Sequence, residues 1–127
     1  MDRERMGSPL ARAIGLGSAK SGVEHWWAER VSAVALVPLT LWFVASTIAH
    51  IRSDHAGFVA WLRGFPTMVL MILLLLALFH HTALGLQVVI EDYVHSGLKL
   101  PAVVAVRLLC FAVAAAGILA TLKIAWG

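Results

Sequence analysis

The chain has 127 residues, of which 61% are hydrophobic and only 13% charged, where soluble domains run at about 25% charged. So short a chain cannot bury that much apolar surface in a core of its own; lipid or partner subunits must cover it, and the length fits one domain at most. The net charge of +3 comes from bases at the ends of apolar stretches, so it reads as a topology signal and not as a nucleic-acid surface.

Residues 1–30 form a polar, basic, Gly/Ser-containing arm. It opens with charged residues and no short apolar run follows, so no cleavable signal is expected. The stretch Gly15-Leu-Gly-Ser-Ala-Lys20-Ser-Gly22 superficially resembles a phosphate loop, but Ala19 stands where such a loop needs glycine and no strand precedes it. A flexible arm turning into a short interfacial helix is expected there.

Residues 31–49 are an uncharged run of 19, close to the roughly 20 residues that span a bilayer core of ~30 Å. Pro38 lies inside this run and removes one backbone N–H, which a membrane helix tolerates with a kink. Residues 51–64 read as a polar connector with Arg52, Asp54, His55 and Arg63. Residues 65–90 then give 26 positions without Asp, Glu, Lys or Arg, ending in Glu91-Asp92-Tyr93. Residues 96–101 form a turn, and residues 100–122 a third span with Arg107 near its start, placed to snorkel toward headgroups. Trp26, Trp27, Trp61 and Trp126 occupy belt positions, where tryptophan is enriched.

No strand alternation or internal repeat is visible. The expected fold is all-α and integral to the membrane: three transmembrane helices, about 31–50, 65–93 and 100–123, in an up-down-up bundle (residues 31–127) behind the arm of residues 1–30. The arm and the second connector share one side, with seven Lys/Arg (Arg3, Arg5, Arg12, Lys20, Arg30, Lys99, Arg107), against three on the other (Arg52, Arg63, Lys123). The positive-inside rule puts the N-terminus in the cytoplasm and the C-terminus outside. Cys110 is the only cysteine, so neither an internal disulfide nor a multi-cysteine metal site is possible; it is expected as a small buried hydrophobe.

The second span carries the chemistry. Ionisable groups inside a membrane helix are costly and point to function, and this span holds His80, His81 and Gln87. His81 lies nine residues before Ile90, about 13 Å from the end of the apolar run, which predicts a position near mid-membrane. An imidazole there suits a haem iron, a proton path or a hydrogen bond to another helix. At about 100° per residue, Gly85 is ~40° and Asp92 ~20° from His81. A haem plane needs a small residue one turn from its ligand, which Gly85 supplies, although small residues also serve helix packing. His80 heads a rival stripe with Leu84, Gln87 and Glu91; bulky Leu84 makes it the poorer ligand, and a hydrogen bond to a neighbouring helix is its plainer role. One histidine fills one side of an iron, and His50 ends the first span too far toward the other face, so a partner subunit must supply the second ligand.

Asp92 and Tyr93 end the second span on the cytoplasmic side. A phenol O–H donates well to a quinone carbonyl and a neighbouring carboxylate relays protons, though tyrosine is also a common interface anchor. Arg30 at the start of the first span either pairs with a haem propionate or sets topology. His25, Trp26, Trp27, Glu29 and Ser32 lie beside it.

The segment His81-x-x-x-Gly85-Leu-Gln87-Val-Val-Ile-Glu91-Asp92-Tyr93-Val-His95 resembles the second helix of the small hydrophobic membrane anchor of succinate dehydrogenase, complex II, in its alphaproteobacterial style. Ser18-Ala-Lys-Ser21-Gly-Val-Glu-His25-Trp26 followed by Arg30-Val-Ser32 is similar to the N-terminal approach of that anchor. The resemblance runs from about Gly15 to Gly97, and the third span matches only in being apolar. It implies a three-helix membrane anchor in the bacterial inner membrane that serves the tricarboxylic acid cycle and aerobic respiratory chain. The chain would not be catalytic by itself. It implies a haem b with His81 as one axial ligand and the other anchor subunit supplying the second. It also implies a ubiquinone site with Tyr93 and Asp92, a haem-propionate and quinone neighbourhood of Arg30, Ser32 and His25, and iron–sulfur and flavoprotein partner subunits. The family's glutamine seven residues after the ligand would select His80, whereas Gly85 and Asp92-Tyr93 select His81. The rival readings are a cofactor-free small transporter or assembly subunit, and a stand-alone cytochrome b.

Overall fold

The computed structural model describes residues 19–127. Residues 1–18 lie outside the described residues, and with them Arg3, Arg5, Arg12 and most of the glycine-containing stretch before Gly22; of Ala19, Lys20 and Ser21 only the helical backbone is described. The elements are α1 (Ala19–Ala49), α2 (His55–Arg63), α3 (Phe65–Tyr93) and α4 (Lys99–Trp126). Three of them are long and apolar enough to cross a membrane. Every backbone N–H and C=O inside such a helix is paired within the helix, which is why a chain with this little polarity takes this form in lipid.

α1 is one 31-residue helix with Pro38 inside it. At 1.5 Å per residue it is about 46 Å long, well over the ~30 Å core, so its first turns extend beyond the apolar run as a continuous helix. α3 has 29 residues and α4 has 28. Pro66 at the start of α3 sits where its missing N–H would be unpaired anyway.

The stretch read as a polar connector folds largely into α2. Asp54 caps it, its carboxylate accepting from the Gly57 N–H at 2.8 Å. Phe58, Val59 and Leu62 recur at helical spacing, and Leu62 is buried. The polar residues noted in the sequence lie at or just before the two ends of this short helix. Arg63 closes the far end of the molecule by donating from Nε to the Ile124 carbonyl of α4 at 3.0 Å, one of the carbonyls a helix C-terminus leaves unpaired.

α3 is the middle span. It packs on α1 and on α4, while α1 and α4 do not meet among the described residues. α2 packs on α3 and α4, and its Trp61 stacks on His50 at 4.8 Å beside Trp42 at the end of α1. The α3–α4 contact is close: a Cβ placed on Gly117 would lie 3.2 Å from Leu75 Cδ1, so the glycine admits the leucine. Few side chains are buried, Leu74, Leu84, Cys110 and Ala114 among them, and large apolar groups such as Val34, Leu41, Leu109 and Phe111 lie exposed along the spans. Those faces belong to lipid or to other subunits.

Candidate functional site

α1 and α3 run antiparallel, and their packing brings Ser32 against His81. Ser32 is only 6% exposed. Its Oγ donates to the Glu29 carbonyl one turn back at 2.9 Å and lies 3.0 Å from His81 Nδ1. A hydroxyl has one proton. With that proton on the Glu29 carbonyl, Oγ accepts from His81, so the histidine carries its hydrogen on Nδ1. Nε2 is left with its lone pair, the form in which an imidazole binds a metal.

This pairing also sets depth. Ser32 is two residues from the Arg30 charge, so His81 lies level with the beginning of the apolar run of α1 and about 12 Å from the middle of that run. Counting along α3 alone places it nearer mid-membrane. The apolar run of α3 is about 39 Å long, more than the core needs, so its end is a poor ruler.

Gly85 is one turn from His81 toward the α3 C-terminus. A Cβ built on it would meet nothing within 4 Å. The helix surface one turn from His81 is therefore open, and in this respect the residues present fit a flat macrocycle beside that histidine. A cavity of about 420 Å³ between α1 and α3 begins at the same level and is lined by Ala28, Ser32, Ala35, Ala77 and His80.

The bond to a neighbouring helix, the plainer role assigned to His80, is made by His81. His80 is exposed on the face of α3 between α1 and α4, where it lines the α1–α3 cavity and a second one of about 370 Å³ between α3 and α4. The hundred-degree step between adjacent helix residues turns one toward α1 and leaves the other on the open face.

The remaining candidates lie toward the ends of α1 and α3. Arg30 is exposed, its guanidinium 5.5 Å over the Trp26 ring in a cation–π contact; Trp26 in turn meets Trp27 edge to face at 5.2 Å. His25, two turns before Ser32 and on the same face, has a buried Nε2 with no hydrogen-bond partner among the described residues. Tyr93 is 80% exposed, Asp92 is exposed, and they are about 18 Å and about 17 Å along α3 from His81. His81 and Ser32 are thus brought together, whereas Tyr93 and Asp92 form a separate location at the helix end. His50 is held by Ser46 and Trp61 at the opposite end of α1, with Nδ1 donating to the Ser46 carbonyl at 2.8 Å.

The direct partnership of Ser32 with His81 is not legible in the sequence, although a serine just inside an apolar run is a signal for a bond to a neighbouring helix. A second polar bridge is equally unannounced: Arg107 of α4 donates from Nε to Gln87 Oε1 at 3.0 Å, and Gln87 Nε2 donates to Glu91 at 2.8 Å.

Residues 4–121 match the family described as succinate dehydrogenase/fumarate reductase transmembrane subunit. Relatives named succinate dehydrogenase hydrophobic membrane anchor subunit include one from Rickettsia bellii, 35% identical over 101 residues that cover 78% of this chain and 80% of the relative. Another from Paracoccus denitrificans is 31% identical over 121 residues, covering 94% of this chain and 93% of the relative. No solved structure matches the chain. The matched length, the three apolar helices and the shared relatives agree, and the chain belongs to the succinate dehydrogenase/fumarate reductase transmembrane subunit family.

Proposed function

We propose that this chain is the small membrane anchor of a succinate:quinone oxidoreductase, that His81 offers Nε2 as one axial ligand to a haem b, and that Tyr93 and Asp92 form part of a ubiquinone site. The observation that carries the reading is the Ser32–His81 hydrogen bond. Ligating histidines almost always donate their other ring N–H to an oxygen, which fixes tautomer and ring orientation. Ser32, its own proton committed to Glu29, is such an oxygen, and open Gly85 leaves room alongside. When bound, haem b supplies a one-electron carrier. One imidazole fills one axial position, so the second ligand comes from the other anchor subunit.

Arg30 is suited to a charge-assisted bond with a haem propionate. His25, with its orphaned Nε2, is suited to a propionate or quinone oxygen on the same side. At the end of α3 the Tyr93 phenol donates to a quinone carbonyl, and Asp92 passes protons from water. Quinone reduction takes up two electrons and two protons, and the exposure of both residues keeps the proton path short. Succinate is oxidised on a flavoprotein subunit, and electrons arrive through an iron–sulfur subunit; this chain anchors and completes the electron-accepting end. The charge distribution favours a cytoplasmic N-terminus and periplasmic C-terminus in a bacterial inner membrane.

A second reading has one observation in its favour. His80 lines a cavity on either side, and with His81 engaged by α1 in a purely structural bond, His80 would be the ligand.

The test is a reduced-minus-oxidised spectrum of the complex purified through this chain, with its partners identified. A b-type haem band together with a flavoprotein and an iron–sulfur protein is expected. Haem without those partners indicates a stand-alone cytochrome. A complex without protoporphyrin overturns the haem assignment and leaves a cofactor-free anchor, transporter or assembly subunit.

A further inference from the structure

Arg107 lies eight residues into α4, about 12 Å along the helix from Lys99. A guanidinium at that depth is costly unless its charge is answered. The partner it meets among the described residues is the neutral Gln87 amide, which accepts from both Nε and Nη2. The amide is held in that orientation by its own bond to Glu91. Two of the five guanidinium N–H groups are used in this way, and the rest remain for another acceptor.

Two cavities meet at Arg107 along the α3–α4 seam. One of about 480 Å³ lies toward the α3–α4 turn, where Lys99, Glu91, Ser96 and Gln87 line it. The other, of about 370 Å³, runs deeper and is chiefly apolar, with Phe79, Leu84 and Phe111 in its wall. Phe111 is exposed, so the seam opens outward. From the surface inward the order is cation, cation, then hydrocarbon. Basic pockets between membrane helices take anionic headgroups, and an acyl chain matches the apolar continuation. Glu91 opposes one of the two positive charges but is turned to Gln87, leaving the groove net positive.

We propose that the α3–α4 seam binds an anionic phospholipid, its phosphate between Lys99 and Arg107 and one acyl chain along Phe79, Leu84 and Phe111. The site lies on the α4 side of α3, whereas Ser32 and His81 meet on the α1 side, so it does not depend on His81 as the haem ligand; His80, the alternative ligand, lines the deeper cavity.

The test is native mass spectrometry of the intact complex in mild detergent, titrated with phosphatidylglycerol or phosphatidylcholine, with the haem band read in parallel. Wild type should retain one phosphatidylglycerol in preference to phosphatidylcholine. Lys99→Gln should weaken retention about fivefold, and Lys99→Gln with Arg107→Gln roughly 25-fold. Val103→Trp, which fills the groove without changing a charge, should abolish retention. If the charge variants do not assemble, a photoactivatable phosphatidylglycerol on the wild-type complex should label the α4 segment from Lys99 to Phe111. Equal retention of the two lipids overturns the proposal. So does displacement of the lipid by excess inorganic phosphate, or a photo-crosslinker at position 103 capturing a partner subunit instead of lipid.

Discussion

His81 Nδ1 lies 3.0 Å from Ser32 Oγ across the α1–α3 interface, and the hydroxyl's own proton is committed to the Glu29 carbonyl. One bond thus joins two helices, fixes an imidazole tautomer and sets the level of the histidine against the start of the apolar run of α1. It also separates the roles of the two adjacent histidines in a way that substitutions can read.

His81→Ala should remove the b-type haem band while succinate oxidation with a soluble acceptor continues. His80→Ala should keep the band, since His80 makes no hydrogen bond among the described residues and faces cavities. The reverse pattern, with the band lost only on removing His80, selects the alternative ligand.

Ser32→Ala leaves His81 Nδ1–H without its acceptor. The complex should still assemble, because an interhelical hydrogen bond in a membrane protein contributes only about 0.6 kcal/mol on average. Haem retention should fall by roughly 10- to 100-fold, the usual penalty for losing an outer partner of a metal ligand. Haem loss during dialysis and a shift in midpoint potential report the effect, and Ser32→Thr should restore both. A variant with unchanged retention and potential would mean that the bond is packing only.

Gly85 and Gly117 are both helical glycines, yet they should fail differently. Open space surrounds Gly85, so Gly85→Leu should leave the helices packed while blocking the groove and lowering haem content. Gly117 has Leu75 against it, so Gly117→Val should overpack the α3–α4 contact at a cost of about 1–3 kcal/mol. Thermal unfolding monitored beside haem absorbance separates the two; equal loss of stability for both variants would contradict the open groove.

Tyr93→Phe should slow quinone reduction several-fold with haem spectrum and assembly intact, because the phenol is exposed and about 18 Å along α3 from His81. Quinone-dependent turnover compared with turnover on a soluble acceptor is the measurement. An equal fall in both rates would assign Tyr93 a structural role instead.

Asp54→Ala should remove the cap that holds the start of α2, costing about 1 kcal/mol. Faster proteolysis between Ile51 and Gly57, with no change in haem, is the expected readout.

The three spans were readable from residue order alone because lipid offers no hydrogen bonds: long runs without charge must be helices, and their lengths locate them. The sequence also carried the family likeness, through His81, Gly85, Asp92 and Tyr93 at fixed spacing. It did not reveal that α3 is the central helix, that Ser32 meets His81 or that Arg107 reaches Gln87. In a soluble helix the apolar stripe marks the packed face; these spans are apolar nearly all round, so periodicity does not distinguish lipid from protein neighbours. Helix order, rotation and relative height come from close packing at small residues such as Gly117 and from a few polar pairs, and those relationships exist only once the helices are side by side.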